Sequence, residues 1–456
     1  MMTSRHPVLW GTIALIGVTP LLFDPTSFDQ FQLVKTVFVQ VALLLMTGAT
    51  LSLLVLKAGP IFGRAKDPGL FAVVGGWTWL RPVACLLLAA GLMVPGSSFV
   101  ALSLSCWLNL ALFLIGYGLI RLNLEVGDVV TVATAACLAG IITTGLALAQ
   151  YWGENPFFQT ADPASGAGRM VALMGNVNTV AAYLMVLVPP AVGLALTGPN
   201  FGLKMVGWTC LAGNLAALGC AQNLSALAGL TVSVSTMVWL AFFFDRKPPA
   251  VLILPLVLVV VMGILVMWRG QAPVLVKARA LVRVMTSGRL DQRIAPRLVV
   301  GWPIAAGMIE DHPLVGLGLA SFALKAYDYQ VMNQVLGGRR RVSPSDPRWD
   351  YAHNEYLQLW SETGALGFLA SCWLACSIIR EGLCGLRQAR RTGSKFQTIW
   401  LIALISALAG GLVDCFGFFY FHLAVLAVLA LILAALIGVV RRSQMTQSEQ
   451  AEMNPA

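Results

Sequence analysis

Long apolar runs recur along the chain and are separated by short polar connections. Runs such as residues 99–120, 129–149 and 251–267 approach the roughly 20 residues that a helix needs to cross a bilayer. Lipid offers no partner to a free backbone amide, and these runs do not alternate between apolar and polar positions. The pattern therefore predicts an all-α, polytopic membrane protein with about 12 transmembrane helices.

The predicted spans begin at Val8, Gln32, Phe71, Phe99, Val129, Val171, Leu203, Asn223, Val251, Glu355, Phe396 and Phe416. Arg81 and Pro82 interrupt the third span, so its boundaries are the least defined. Pro20 and the acidic Asp24 argue against a cleaved signal peptide, and the first run is interpreted as a span. Lys and Arg concentrate in alternate connections, which places both termini in the cytoplasm.

One connection is far longer than the others. Residues 269–352, between the ninth and tenth spans, carry twelve Lys or Arg and six Asp or Glu. Loops of this length are commonly functional, and the basic charge calls for an anionic partner. We predict four parts: nine spans in residues 1–268, a large outward-facing loop carrying short helices in 269–354, three spans in 355–442, and a disordered cytoplasmic tail in 443–456.

Composition agrees with a membrane environment. Of the 456 residues, 58% are hydrophobic and 11% are charged, against about 45–50% and about 25% in soluble domains. A net charge of +10 would suggest nucleic acid as the partner of a soluble protein, but a membrane protein usually carries such an excess in its cytoplasmic loops. The nine cysteines lie in or beside apolar runs, so neither a disulfide framework nor a metal site is expected.

A histidine stands where the large loop re-enters the membrane. Below His353, small and apolar residues recur at helical spacing as far as Gly367, so His353 should project from the top of one helix spanning residues 356–367. A histidine at a bilayer boundary can take a proton from a hydroxyl near neutral pH. It can equally cap a helix or bond to a carbonyl.

Two motifs around the end of this loop suggest a family. The segment His353-Asn-Glu-Tyr-Leu-Gln358, followed by Glu362-Thr-Gly364, resembles the signature of the O-antigen ligase and O-antigen polymerase family. The segment Arg297-Leu-Val-Val-Gly-Trp302, followed by Asp311-His-Pro-Leu314 and a glycine-rich stretch, is similar to a second family motif. Of the residues near this stretch, His312 is expected to be structural, and Gly316 and Gly318 to form a tight turn.

A third motif precedes them in the same order as in the family. Gly175-Asn-Val-Asn178, preceded by Arg169, is similar to the family's Gly-Asn-Pro-Asn segment, with Val177 in place of proline. The three motifs cover roughly half of the chain. One departure is that no arginine follows Ser225, where the family often has one, which removes a possible anion contact.

The resemblance implies metal-independent glycosyl transfer without a cofactor. The donor would be an undecaprenyl-diphosphate-linked glycan, and the acceptor a hydroxyl of lipid A-core or another molecule at the periplasmic face of the cell inner membrane. By this resemblance, Arg169 and Arg297 would clamp the diphosphate, and His353 would be the general base. Further candidates for substrate binding are Arg289, Arg293, Asn176, Asn178 and Asn354. Membrane lipids are the other expected partners, and nucleic acid is not one.

Several reactions fit the same motifs. The family resemblance admits O-antigen ligation to lipid A-core, polymerisation of O-antigen or exopolysaccharide, and protein O-oligosaccharyl transfer. Ligation is preferred because no further soluble domain follows the last span. A secondary transporter would predict inverted repeats and charges near the bilayer midplane, and only Arg81 suggests the latter. A structural scaffold would leave the basic loop and the histidine motif unexplained.

Overall fold

The computed structural model describes residues 5–27, 29–57, 78–154, 170–244, 297–336 and 349–453. These residues form helices and connections, with no strand among them, which confirms the all-α prediction. Nine helices in these ranges are long and apolar enough to cross a membrane, and His6–Leu21 and Leu80–Met93 are shorter apolar helices. The span expected at Val251 lies outside the described residues, so the count of twelve stays a prediction.

The helices before the large loop are α1 (Arg5–Val18), α2 (Gln32–Lys57), α3 (Leu80–Met93), α4 (Val100–Asn123), α5 (Asp128–Tyr151), α6 (Val177–Thr197), α7 (Phe201–Ala221) and α8 (Leu224–Phe244). Those within and after it are α9 (Trp302–Asp311), α10 (Ser321–Leu336), α11 (Glu355–Thr392), α12 (Lys395–Asp414) and α13 (Ala424–Met453). The last helix thus extends through much of residues 443–456, which were expected to be a disordered tail.

Helix α6 lies at the centre of the bundle. It is apolar along its whole length, and nearly all of its residues are buried, as expected for a helix that is surrounded on every side. Helices α7, α8 and α12 pack around it. By contrast, α2 and α4 leave large apolar side chains such as Leu44, Leu45 and Leu108 exposed. Exposed apolar faces on spanning helices are suited to contact with lipid.

Two arginines, Arg121 and Arg442, form contacts between helices at the end of the bundle opposite the start of α11. Arg121 donates to the carboxylate of Glu381 through Nη1 and Nη2, with Nη1 2.7 Å from Oε2. Its guanidinium lies 5.1 Å from the centre of the Trp79 ring. Arg442 donates to the carbonyls of Leu122 and Leu124. These contacts join α4, α11 and α13 at one end of the bundle.

Helix α11 is broken at Gly364, where φ is 62° and ψ is −174°. The loop of residues 313–318 lies against the break and uses the backbone groups that it frees. Four hydrogen bonds join the two segments: Leu317 N to Ser361 O (3.0 Å), Gly318 N to Glu362 O (2.9 Å), Ala365 N to Pro313 O (2.9 Å) and Leu366 N to Leu314 O (3.4 Å). The helical spacing of residues 356–367 did not reveal this break, at which backbone pairing with the loop replaces the helical pairing.

The two segments approach so closely that only glycine fits at two positions. A Cβ atom added to Gly364 would lie 2.2 Å from the carbonyl oxygen of Leu314, and one on Gly316 would lie 2.5 Å from the backbone of Glu362. Gly316 and Gly318 also have positive φ angles of 64° and 101°. The predicted tight turn at these two residues is confirmed.

Replacing Gly316 by alanine should therefore destabilise the fold. We expect Gly316→Ala to lower the free energy of unfolding by roughly 2–4 kcal/mol, because a positive φ and a backbone clash act together. Thermal unfolding of the protein in detergent measures the effect.

Substitutions at two other glycines separate the effect of the positive φ from the effect of the backbone clash. Gly393 has a φ of 72° with no atom within 4 Å of an added Cβ, and Gly145 has open space around it without a positive φ. Gly393→Ala should cost about 1 kcal/mol from strain alone, and Gly145→Ala should cost nothing. Equal losses in Gly316→Ala and Gly393→Ala would contradict the tight approach of the two segments.

Candidate functional site

Arg297 opens the π-helical turn Arg297–Gly301, which leads into α9. Its Nη1 donates to the carbonyl oxygen of Gly417 at 2.8 Å. Burial lowers the pKa of Arg297, and the carboxylate of Asp414 opposes that shift. Because an arginine side chain stays protonated in proteins, Arg297 places a positive charge at the end of the bundle where α11 begins.

His353 lies just before α11 and not within it. Its φ is 52°, and Asn354 is the N-cap residue of the helix, with its side-chain oxygen accepting a hydrogen bond from Leu357 N at 3.1 Å. The helix therefore begins after His353, which lies at its N-terminal end. The oxygen of Asn354, a predicted substrate ligand, is used in this cap.

The imidazole of His353 is held between aromatic rings. Its centroid lies 5.0 Å from that of Phe419 and 5.7 Å from that of Trp349, both edge to face. Its Nδ1 is buried and has no hydrogen-bond partner among the described residues. Burial, and then the positive charge of Arg297, lower the pKa of His353 to about 4. The ring is therefore neutral near pH 7 and can accept a proton.

The loop between α12 and α13, residues 415–423, contacts both groups. The carbonyl of Gly417 binds Arg297, and the ring of Phe419 packs against His353. Phe419 also stacks on Tyr351, with centroids 4.0 Å apart and planes 7° apart. The carbonyl of Cys415 in turn accepts the first amide of α11 at 2.9 Å. The 415–423 loop is therefore the element that brings Arg297 and His353 to one place.

A small apolar core beneath the site fixes the segments that carry Arg297 and His353. It joins α9, α10 and the residues before α11, and its buried members are Ile304, Ala305, Met308, Leu317, Phe322, Ala326, Tyr329 and Ala352. Gly301 lies so close to this region that an added Cβ would be 3.1 Å from both Trp349 and the carbonyl of Ala352. Packing of this kind limits independent movement of the two segments.

The third motif reaches the site through hydrogen bonds. Asn176 caps α6 by accepting Asn178 N at 2.8 Å, and the side chain of Asn178 accepts a hydrogen bond from Asn223. Asn223 in turn accepts the hydroxyl of Ser225 at 2.9 Å. Ser225 packs on Gly417, where an added Cβ would lie 2.8 Å from the Cβ of Ser225. Asn176 and Asn178 are thus connected to the carbonyl that binds Arg297.

A comparison with known families identifies this arrangement. The family model described as O-antigen ligase matches residues 211–372. Residues 211–372 of the chain are therefore similar to the O-antigen ligase family. The match includes Arg297, His353 and both segments at the break in α11, and it confirms the resemblance that the motifs suggested. No curated protein matches the chain.

The nine long apolar helices of the described residues indicate a multi-pass membrane protein, and the match to the O-antigen ligase model indicates an enzyme of the glycosyltransferase type. Of the predicted site residues, the structure brings Arg297 and His353 together and connects Asn176 and Asn178 to them. Arg169, Arg289 and Arg293 lie outside the described residues. His312 is exposed, and its carbonyl accepts Gly316 N at 3.1 Å within the turn.

The 415–423 loop was missed because its aromatic residues resembled the start of the last span, which was predicted at Phe416. In the structure, α13 begins at Ala424. The signal that could have revealed the loop is the placement of Gly417 and His422 in an aromatic run flanked by Asp414. These residues lie beyond the family match.

Lys35 is a second feature that the sequence analysis did not predict. Its side chain is fully buried, and its ammonium donates to three carbonyls: those of Leu22, Phe31 (3.1 Å) and Leu173 (2.7 Å). It therefore ties α2 to the α1–α2 connection and to the segment that leads into the Asn176 cap.

Removing this ammonium should loosen the third motif. Lys35→Met leaves the three carbonyls without their donor, and we expect a loss of roughly 1–3 kcal/mol in the free energy of unfolding. Amide exchange should rise in residues 170–176 in particular. Lys204→Met, at an exposed position in α7, is the control and should change neither quantity. Unchanged exchange in Lys35→Met would show that other contacts hold this segment.

Proposed function

We propose that the chain transfers a glycan from an undecaprenyl-diphosphate carrier to an acceptor hydroxyl at the periplasmic face of the inner membrane. The specific reaction that we propose is ligation of surface polysaccharide to lipid A-core. The observation that carries this proposal is the pairing of a cationic Arg297 with a neutral His353 on the 415–423 loop. The O-antigen ligase family match supports the class of reaction.

Arg297 would bind the diphosphate. Its guanidinium has five N–H donors, and one of them is used in the hydrogen bond to Gly417. The planar arrangement of the others suits the paired oxygens of a phosphate, and its charge would stabilise the diphosphate as it leaves. Arg169, Arg289 and Arg293 are proposed to add further positive charge to the same group.

His353 would accept the proton of the acceptor hydroxyl. As the acceptor oxygen bonds to the anomeric carbon, the bond from that carbon to the carrier phosphate breaks and the diphosphate keeps the electron pair. The proton moves to the imidazole and then to the diphosphate or to water. Asn354 would fix the position of His353 through its cap, while Asn176 and Asn178 would contact sugar hydroxyls or the carrier headgroup.

Binding of the donor would also raise the pKa of the proposed base, His353. A pKa of about 4 keeps His353 neutral but makes it a weak base. A diphosphate beside Arg297 would offset the positive charge that helps to depress this pKa, and its own negative charge would favour the imidazolium. The base would thus be strengthened when the donor is bound.

The first test is transfer by purified protein from a defined undecaprenyl-diphosphate glycan to lipid A-core, with a metal chelator present. His353→Ala should lower kcat by about 10²–10⁴-fold, because the proton of the acceptor has no base. Arg297→Ala should be equally impaired. Arg297→Lys, which keeps the charge without the planar fork, should recover only part of the activity. The control is His312→Ala, at an exposed position outside the site.

The products of the same assay discriminate the reactions. Polymer attached to lipid A-core supports ligation, longer carrier-linked chains indicate a polymerase, and glycan on serine or threonine of a peptide indicates protein glycosylation. Full activity of folded His353→Ala and Arg297→Ala proteins would exclude the proposed site. Uptake of a solute into proteoliposomes without any glycan transfer would exclude the proposed enzymatic function.

The pH dependence tests the role of the donor. Protonation of His353 removes the base, so kcat/KM, which reports the free enzyme, should fall as the pH drops through about 4. The fall in kcat, which reports the bound complex, should lie at higher pH because the diphosphate raises the pKa of His353. Coincident falls in the two profiles would contradict the proposed contact between the donor and His353.

A further inference from the structure

Two carboxylates of α11 are buried beside the site. Glu355 and Glu362 are 2% and 3% exposed, and their spacing of seven residues places them on one face of the helix. Glu355 accepts Phe421 N at 3.3 Å, and Glu362 accepts Ala320 N at 3.0 Å and Phe322 N at 3.4 Å. Neutral amides alone are a costly environment for two buried negative charges, so a nearby cation is expected.

The imidazole of His422 lies between the two carboxylates and is the basic group placed to supply this charge. Its Nδ1 lies 3.5 Å from Glu355 Oε1, and its Nε2 lies 3.8 Å from Glu362 Oε2. Among the ion pairs of the described ranges, His422 is the basic group that faces either carboxylate. Burial lowers the pKa of His422, but Glu355 and Glu362 outweigh it and raise this pKa to about 10. The three side chains together then carry one negative charge.

His422 is connected to both groups of the candidate site. It belongs to the 415–423 loop, whose Gly417 binds Arg297. Its ring lies edge-on to Tyr351, with centroids 5.5 Å apart, and Tyr351 stacks on the Phe419 ring that contacts His353. A change in the position of His422 would therefore displace the contacts of Arg297 and His353 together.

We infer that His422 is a positioning residue for glycosyl transfer: its charge, held between Glu355 and Glu362, fixes the 415–423 loop on the start of α11. The loop then holds Gly417 and Phe419 where Arg297 and His353 need them. The catalytic consequence rests on the proposed function, whereas the anchoring of the loop does not.

The test compares the loss of one charge with a balanced loss of two. His422→Gln leaves two buried negative charges, so the loop should move, kcat should fall about tenfold or more, and the KM of the donor should rise because the contact of Arg297 with the loop is displaced as well. Combining His422→Gln with Glu355→Gln restores a single negative charge, and we expect activity within about threefold of wild type. His312→Gln is the matched control, since this exposed histidine lies outside the cluster.

A structural readout makes the test independent of the reaction. Amide exchange of residues 415–423, and of Phe421 in particular, should rise in His422→Gln and return towards wild type in the double variant. If the variants show this pattern of exchange but the wild type transfers no glycan to any acceptor, the proposed function fails and the anchoring role stands. Unchanged exchange in His422→Gln would overturn the inference, even in an active enzyme.

The dependence of activity on pH is a further test, because a purely structural role of His422 would not change it. The groups that face His422 are Glu355, Gln358 and Glu362 of α11, together with Tyr351. A group with a raised pKa keeps its charge below that value, so wild-type activity should fall as the pH rises through about 10. The double variant lacks the titrating ring and should lack this fall.

Three further results would overturn the inference. Full activity of His422→Gln would remove the positioning role, and equal loss in the single and double variants would point to a contribution other than charge pairing. Gln358 Nε2 lies 3.1 Å from His422 Nε2 and would donate to a neutral ring. A wild-type profile without the alkaline fall would indicate that neutral state and contradict the charge pairing.

Discussion

The break in α11 at Gly364 is the constraint on which the rest of the site depends. A broken helix beside lipid would leave backbone N–H and C=O groups unpaired, at a cost of several kcal/mol each. The 313–318 loop supplies their partners, so neither segment can adopt its conformation without the other. This pairing fixes the layer of α9 and α10, which carries Arg297, to the helix whose N-terminus follows His353.

The relative position of Arg297 and His353 also depends on the 415–423 loop, which lies away from the break in α11 and beyond the family match. The 415–423 loop contacts Arg297 through a carbonyl, His353 through the Phe419 ring and the start of α11 through Cys415. Its contacts come from both its backbone and its side chains. The site is therefore a property of the packing of three segments, and a linear motif describes only part of it.

The parts that the sequence predicted well depend on local pattern. Apolar length located the nine long apolar helices of the described residues, and Gly316 and Gly318 marked a turn because glycine adopts the positive φ that a tight turn needs. The break at Gly364 was not predictable in this way, because glycine is common in spanning helices, where it allows close packing. Lys35 near the start of α2 resembled a lysine that extends to the membrane surface. Only the positions of the Leu22 and Leu173 carbonyls, distant along the chain, explain its burial.

Buried charge has opposite meanings at the two ends of this bundle. Arg121 meets Glu381 with two hydrogen bonds and is flanked by Trp79 and Tyr117, so its charge and donors are matched and its role is to join helices. Arg297 has no such carboxylate fork among the described residues, and the neighbouring His353 has a buried Nδ1 without a partner there. Unmatched buried polar groups cost stability and are retained where a substrate completes them. The unmatched polar groups of Arg297 and His353 distinguish the proposed diphosphate site from the structural ion pair of Arg121 and Glu381.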